Sequence, residues 1–328
     1  MELWFDGNDR TCSISSVRIF MPKITLNSVK GNSYFCSGRL SVGVYIHNKT
    51  AILIDSGIDR DNAKDINKAL VEAGYTVGAI INTHHHADHC GGNNYFQKTY
   101  PGLRIFATQF ECVFIDSPFM MPLCFCSGAL PFAELRNKYL EAEPSVTTDV
   151  IVDYKDQEIN IDGALFKIVT LPGHTFGSIG VITPDNVFYA GDAIFADETF
   201  NKHGILFYTD INSSLESFKK IATLAVDATV FYHSGVAYEL APVAQKHAQR
   251  MIETKDAIAS MIKSSEQGTS IDVLTQQVMQ KYAIPESIMS FTLTKTCVNA
   301  YVTQLSLEKE VVLKMSDGLL KVVSQSLN

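Results

Sequence analysis

The sequence lacks any apolar run long enough to form a transmembrane helix, which needs about 20 consecutive residues. Residues 1–6 (MELWFD) also lack the basic start and the long apolar core of a secretory signal peptide. We therefore expect a cytoplasmic protein that does not insert into a membrane. Of its 328 residues, 46% are hydrophobic and 19% are charged, as in globular proteins of one or two domains.

Basic residues are too few to neutralise the acidic ones. The chain has 27 Lys and Arg residues against 35 Asp and Glu residues, which gives a net charge of −8. Affinity for nucleic acids depends largely on Lys and Arg side chains that neutralise phosphates. The balance therefore argues against a general nucleic-acid-binding protein and against a protein that binds anionic membrane surfaces.

The cysteine pattern does not predict a disulfide framework. The seven cysteines are odd in number and scattered from Cys12 to Cys297, which is typical of reduced thiols in the cytosol. Only Cys124 and Cys126 are close together, and one intervening residue is not the spacing of a zinc ribbon. Because their neighbours are apolar, we expect both to be buried as small hydrophobic side chains, with a redox or metal-binding role as the alternative.

Histidine, in contrast, is concentrated in one stretch. Residues 82–93 (NTHHHADHCGGN) contain four of the nine histidines and one aspartate. The apolar run at residues 77–81 predicts a buried strand before this stretch, and two glycines precede a predicted helix at residues 94–99. The histidines are thus expected on a loop at the carboxyl end of a strand, where open α/β sheets build their sites.

The spacing within this loop suits metal binding. His84 and His86 are two residues apart, so both imidazole rings project from the same side of an extended backbone. Asp88 continues on that side, and His89 turns the other way as the backbone bends. One loop can therefore offer two nitrogens to one metal ion, and an oxygen and a nitrogen to another. The alternative is a solvated polar loop that binds metal weakly, but the position between a strand and two glycines favours a metal site.

The pattern HxHxDH at residues 84–89, followed by two glycines, resembles the signature of the metallo-β-lactamase superfamily. The resemblance extends over roughly residues 15–240. It implies an α/β fold, the αββα sandwich of that family, for a catalytic domain at residues 1–240. It also implies further metal ligands at the ends of other strands.

Four more segments match the family's motifs in the expected order. Asp55 ends a predicted hairpin of residues 40–47 and 51–55, and it resembles the aspartate that the family carries close to its metals. Its alternative role is to fix the turn into the next helix, which is predicted at residues 61–73. The other three matches each follow a predicted strand and resemble the third, fourth and fifth motifs: His174, Asp192 and His233.

The resemblance implies a site for two divalent ions. The first ion would be held by three histidines: His84, His86 and His174. The second ion would be held by Asp88, His89 and His233, with Asp192 bridging the two ions and Asp55 orienting a ligand from outside. Zinc is the ion expected first, with iron or manganese as alternatives.

A site of this kind implies hydrolysis. Two divalent ions about 3.5–4 Å apart can share a water molecule and lower its pKa towards about 7. The resemblance to glyoxalase II and to lactonases implies that this metal-bound hydroxide attacks a small ester, thioester or lactone. Asp88 would act catalytically, by orienting the hydroxide or relaying its proton. The alternatives are a phosphodiesterase or ribonuclease-type nuclease, which the acidic charge disfavours, and a non-catalytic regulatory DNA-binding protein.

The remaining histidines lack a comparable setting. His85 is predicted to be a loop residue and not a ligand. His203 is expected to be solvated, with substrate contact as its alternative, and His47 ends a strand of the predicted hairpin. His247 lies in a polar stretch of a predicted helix.

Several predictions concern segments outside the motifs. A strand is predicted at residues 17–23 and a helix at residues 212–225, with Asn212 as its N-cap. The proline-interrupted insertion at residues 117–150 predicts a helix at residues 133–141, and its role is left open between a lid, a dimer contact and local core.

The C-terminal residues, 241–328, predict a small helical domain that resembles a winged-helix module. It would consist of three helices and a hairpin: residues 244–263, 271–282 and 290–305, then strands at 308–313 and 319–323. From residue 250 to the end, eight basic residues face eight acidic ones, so a packing or dimerising role is favoured over DNA binding. The expected partner is a small-molecule substrate, with a homodimer as a further expectation to test.

Overall fold

The computed structural model describes residues 24–38, 40–233, 235–316 and 318–325. The strand predicted at residues 17–23 lies outside these ranges. Within them, no helix combines the length and the apolar character that crossing a membrane requires.

The first sheet has seven strands, which neighbour one another in space in the order of the chain. They are β1 (Thr25–Lys30), β2 (Ser33–Ser37), β3 (Val42–His47), β4 (Thr50–Ile54), β5 (Thr76–Ile81), β6 (Arg104–Thr108) and β7 (Asp149–Ile151). Strands β1 to β4 are antiparallel, whereas β4 to β7 run parallel because helices connect them. These helices are α1 (Arg60–Glu72), α2 (Ala87–Cys90), α3 (Asn93–Thr99), α4 (Gln109–Asp116) and α5 (Met120–Phe125). The predicted hairpin and the strand before the histidine loop are confirmed.

The second sheet has six strands. They are β8 (Gln157–Ile161), β9 (Ala164–Thr170), β10 (Ile179–Ile182), β11 (Val187–Tyr189), β12 (Ala228–Val230) and β13 (Val236–Ala237). Only the pair β11 and β12 is parallel among these described strands, since α6 (Asp197–Lys202) and α7 (Ile211–Ala222) connect them. The predicted cap of α7 is wrong, because Asn212 already lies in the first turn. The N-cap is Asp210, whose carboxylate accepts a hydrogen bond from the Ser213 backbone N–H at 2.9 Å.

The two sheets pack face to face, and alternation along each strand determines which side chains meet. On β4, Ile52 and Ile54 point into the core between the sheets, whereas Leu53 points to the outer face under α1. From the second sheet, Phe166 packs edge-to-face on Tyr45, with ring centroids 5.3 Å apart. Helices cover both outer faces, so the predicted αββα layering is confirmed.

The C-terminal residues form the three predicted helices and the predicted hairpin, and a short strand that was not predicted extends the hairpin to a three-stranded antiparallel sheet. The elements are α8 (Ala241–Lys263), β14 (Thr269–Ser270), α9 (Ile271–Lys281), α10 (Ile288–Leu307), β15 (Val311–Ser316) and β16 (Leu319–Ser324). Their apolar side chains belong to the same hydrophobic cluster as Phe188 of β11 and Phe218 of α7. The core is therefore continuous across residue 240. The proposed domain division there and the likeness to a winged helix stay predictions.

The insertion at residues 117–150 lacks the helix that was predicted for it. The helix predicted at residues 133–141 is wrong, since only a 3-10 turn (Ala133–Leu135) forms. The Asn137 side chain accepts from the Tyr139 N–H and donates to the Glu134 carbonyl, which replaces helical hydrogen bonds with a local turn. Further on, Leu140 packs with Leu293 of α10, as expected of local core.

The predicted burial of the close cysteine pair is also wrong. Cys124 is exposed and Cys126 is half-buried. Helix α5 buries Met121 and Pro122 instead and turns its carboxyl end towards the surface. The apolar residues of this stretch bury only one face of the helix, and Cys124 does not lie on that face.

Candidate metal centre

Four loops meet at one edge of the sandwich and bring the predicted metal ligands together. The histidine loop follows β5, and the other three loops follow β9, β11 and β12. The seven side chains that converge here are at most 7% exposed: His84, His86, Asp88, His89, His174, Asp192 and His233. The loops after β5, β11 and β12 lie at the carboxyl ends of parallel strands, where α/β sheets place their sites.

Three ring nitrogens define the first group. His86 Nδ1 lies 3.0 Å from His84 Nε2 and 2.9 Å from His174 Nε2. The other nitrogen of His174, Nδ1, donates to the Phe207 carbonyl oxygen at 2.8 Å, which leaves a lone pair on Nε2. Burial lowers the pKa of His84 and of His86 well below the ordinary value, and that of His174 to about 4. All three rings are therefore neutral at pH 7, as a metal ligand must be.

The second group contains Asp88, His89 and His233, whose ligand atoms lie within 4.8 Å of one another. His233 Nε2 is 3.5 Å from Asp88 Oδ2, and His89 Nε2 is 3.9 Å from the same oxygen. Nitrogen and oxygen donors in this arrangement suit a divalent ion such as zinc, iron or manganese.

Asp192 lies between the two groups. Its Oδ1 is 3.2 Å from His89 Nε2 and 3.3 Å from His233 Nε2, whereas its Oδ2 is 3.5 Å from His174 Nε2. The preceding residue, Gly191, has φ +54°, and a Cβ atom there would lie 2.7 Å from Thr83 Oγ1. The glycine therefore lets the chain turn sharply, so that one carboxylate faces both groups.

Asp55 orients His89 of the second group by a hydrogen bond to the ring nitrogen that faces away from Asp88 and His233. Its Oδ2 accepts a hydrogen bond from His89 Nδ1 at 2.7 Å and from Thr83 Oγ1 at 2.8 Å, and its Oδ1 accepts from the Thr83 backbone N–H at 2.8 Å. The N-cap of α1 is Asp59, so the contact with His89 favours the orienting role of Asp55 over the turn-fixing role. Burial alone would lower the pKa of His89, but the carboxylates of Asp192 and Asp55 raise it to about 10. Metal binding at His89 would therefore release a proton.

Sequence reasoning missed three residues beside these groups. Tyr232 stacks on the His89 ring, with centroids 3.8 Å apart, and donates from its hydroxyl to the backbone oxygen of Asp88 at 2.5 Å. The Phe207 ring lies within 5.7 Å of the rings of His86 and His174. Glu111 is fully buried and contacts His85. In the sequence each of the three looks like an ordinary core or helix residue. Only Tyr232 has a position that indicates a role at the site, because it directly precedes His233.

The other histidines stay outside both groups. His85 points away from them and stacks on Phe114, with ring centroids 4.2 Å apart. The predicted solvation of His203 is wrong. It is only 6% exposed, because its segment lies against α8, where Arg250 donates to the His203 carbonyl oxygen. His247 is buried as well, and its Nε2 accepts a hydrogen bond from the Phe195 N–H at 3.0 Å.

Comparison with curated proteins identifies distant relatives. The chain is 27% identical over 148 residues to a hydroxyacylglutathione hydrolase of Synechococcus sp. (strain JA-2-3B'a(2-13)), a match that covers 45% of each chain. It is 26% identical over 189 residues to a hydroxyacylglutathione hydrolase of Vibrio campbellii, covering 56% of this chain and 60% of that one. The chain thus spans about half the length of the curated relatives it matches.

Solved structures share the fold over nearly the whole chain. A metallo-beta-lactamase family protein from Thermus thermophilus superposes with a TM-score of 0.68 at 17% identity, covering 93% of this chain and 99% of that one. A beta-lactamase domain protein from Burkholderia ambifaria gives a TM-score of 0.71 at 15% identity, covering 94% and 96%. Residues 38–233, which contain both ligand groups, match the family model described as the metallo-beta-lactamase superfamily. Fold, motif order and this match agree, and the chain belongs to the metallo-beta-lactamase superfamily.

Proposed function

We propose that the protein is a hydrolase that uses two divalent metal ions, zinc in the first place, to cleave a small thioester, ester or lactone. The observation that carries the proposal is Asp192, whose two carboxylate oxygens face two separate groups of buried donors. When bound, a pair of divalent ions at such a site supplies an activated water at neutral pH and polarises the attacked carbonyl oxygen.

Each of the two donor groups would hold one of the two ions. His84, His86 and His174 would hold one ion through three neutral nitrogens. Asp88, His89 and His233 would hold the other, with Asp192 between the two. The donor set contains no sulfur, and its mixture of imidazole and carboxylate fits zinc, with iron or manganese as alternatives.

Asp88 is the residue that would move a proton. Its Oδ2 faces His233 and His89, whereas Oδ1 is buried without a hydrogen-bond partner among the described residues. The Tyr232 hydroxyl holds the backbone of Asp88 in place. Oδ1 is therefore free to accept a proton from the attacking water and to return it to the leaving group.

The substrate class rests on the relatives. Their name describes hydrolysis of a hydroxyacyl ester of glutathione, which is a thioester. The matches cover about half of those proteins. We therefore extend only the bond type, an activated acyl group, to this chain.

A substrate panel tests the proposal. Zinc-loaded protein would be assayed with hydroxyacyl thioesters, lactones, simple esters and a phosphodiester such as bis(p-nitrophenyl) phosphate. We expect turnover of an acyl substrate that disappears on metal removal and in the Asp88→Asn variant. Phosphodiester turnover without acyl turnover would favour the nuclease alternative, and no metal-dependent turnover of any substrate would contradict the proposal.

A further inference from the structure

Glu111 is a buried carboxylate that is not among the metal ligands. It lies in the first turn of α4, directly after β6, and is 0% exposed. Its Oε2 accepts hydrogen bonds from the His85 backbone N–H, at 2.8 Å, and from His85 Nδ1. Its Oε1 accepts from Thr175 Oγ1 at 2.7 Å and from the Gly177 N–H at 2.8 Å. Four donors thus fill the acceptor positions of one carboxylate.

These contacts connect two loops that come from different sheets. His85 lies between the ligands His84 and His86, on the loop after β5 of the first sheet. Thr175 and Gly177 follow the ligand His174, on the loop after β9 of the second sheet. Each oxygen of Glu111 therefore contacts one of the two loops that supply the first ligand group.

We propose that Glu111 is a positioning residue for the first metal site, where it fixes the loop of His84 and His86 against the loop of His174. The inference rests on the metal site of the proposed function, but it assigns a role to a residue whose hydrogen bonds go to His85, Thr175 and Gly177 and not to a proposed metal ligand. Its counterpart at the second site is Asp55, which bonds His89 directly.

The surroundings of Glu111 are built for an ionised carboxylate. Burial by itself raises the pKa of its carboxyl group, but the His85 imidazole and the hydrogen bonds from His85 and Thr175 hold that pKa below the ordinary value. A buried charge with four donors orients those donors strongly. The Phe114 ring stacks on the His85 ring, with centroids 4.2 Å apart, so His85 is held both by this stacking and by its hydrogen bonds to Glu111.

The packing at Gly177 also depends on close approach of the two loops. A Cβ atom at this position would lie 2.5 Å from Thr108 Oγ1 and 2.7 Å from Glu111 Oε1. Thr108 Oγ1 in turn donates to the Gly177 carbonyl oxygen at 2.8 Å. Thr108, at the end of β6, and Glu111, at the start of α4, therefore bind the carbonyl group and the N–H of Gly177 in the loop after β9.

The test measures zinc affinity at each site separately. Metal-free protein would be titrated with Zn²⁺ against a chromophoric chelator in two backgrounds. His233→Ala leaves the first site intact, and His174→Ala leaves the second. Glu111→Gln places an amide N–H against existing donors, so we expect zinc affinity to fall about 10–100-fold in the His233→Ala background. In the His174→Ala background the change should stay below about twofold.

Two further variants complete the design. Glu134→Gln changes an exposed glutamate and should alter neither affinity. Thr175→Val removes one donor to Glu111 without leaving an unpaired charge, and should weaken only the first site, by less than Glu111→Gln does. If circular dichroism of the metal-free protein shows that Glu111→Gln does not fold, the zinc affinities of Thr175→Val test the role of Glu111 in its place.

The outcomes separate this inference from the proposed function. Selective loss of zinc affinity at the first site supports the inference. Unchanged affinity, or equal loss at both sites, overturns it while wild-type zinc binding still supports the metal site. A wild-type protein that binds no divalent ion would contradict the proposed function and this inference with it.

Discussion

Tyr232 donates a hydrogen bond to the backbone oxygen of Asp88, at 2.5 Å. The same tyrosine ring lies on the imidazole of His89. One residue thereby fixes two members of the second ligand group, although β12, which precedes Tyr232, and β5, which precedes the histidine loop, belong to different sheets.

We predict that Tyr232→Phe weakens the second site while the fold persists. The phenyl ring keeps the stacking on His89, but the Asp88 carbonyl oxygen loses its donor. We expect zinc affinity or kcat/KM to fall about 10-fold, and the free energy of unfolding to fall by about 1 kcal/mol. Tyr238→Phe, at a residue that is 74% exposed, is the matched control. Equal effects of the two variants would contradict the role of Tyr232.

Asp88→Asn should remove most of the hydrolysis. The amide cannot accept and return a proton as the carboxylate does, so kcat should fall at least about 100-fold. Circular dichroism should show an unchanged fold. Asp61→Asn, whose side chain is 87% exposed in the wild type, serves as the control for an Asp-to-Asn change. Near-normal turnover of Asp88→Asn would rule out the assigned role.

Buried His247 should make stability depend on pH. Burial lowers its pKa to about 4 in the folded protein, whereas the unfolded chain takes up this proton below about 6.5. The unfolded state therefore binds more protons between these values, and stability falls as pH falls, by roughly 3 kcal/mol in total from this residue.

His247→Gln isolates this contribution from that of the other histidines. At pH 7 the variant should be less stable, because the hydrogen bonds to Phe195 and Val243 are disturbed. The difference in unfolding free energy should shrink as pH falls from 7 to 4.5. Denaturant unfolding of both proteins across this range measures it, and a difference that stays constant with pH would show that His247 does not titrate as described.

The C-terminal residues should not bind DNA. The apolar faces of their helices are occupied, since Leu274 and Val278 are buried in the cluster that includes β11 and α7. Basic and acidic residues balance from residue 250 onward. Fluorescence anisotropy of the full chain with duplex DNA should show no salt-sensitive binding at micromolar concentrations. Such binding would support the regulatory alternative.

The sequence predicted those features of the site that depend on residues close together along the chain. The HxHxDH pattern is six residues long and begins three residues after β5, so its loop position followed from the apolar run before it and the two glycines after it. His174, Asp192 and His233 were matched through the family resemblance, because nothing local shows that distant strand ends meet. Glu111 and Tyr232 were missed, since their contacts join different sheets. The helix expected at residues 133–141 failed because the Asn137 side chain bonds its own neighbours.

The two ligand groups on either side of Asp192 are proposed to hold two metal ions that share this carboxylate. The most direct measurement is elemental analysis of protein reconstituted with zinc and freed of excess ion by gel filtration. Two equivalents per chain are predicted, and Asp192→Asn should lower the affinity for both ions. Less than one equivalent in the reconstituted wild-type protein would contradict the dinuclear site.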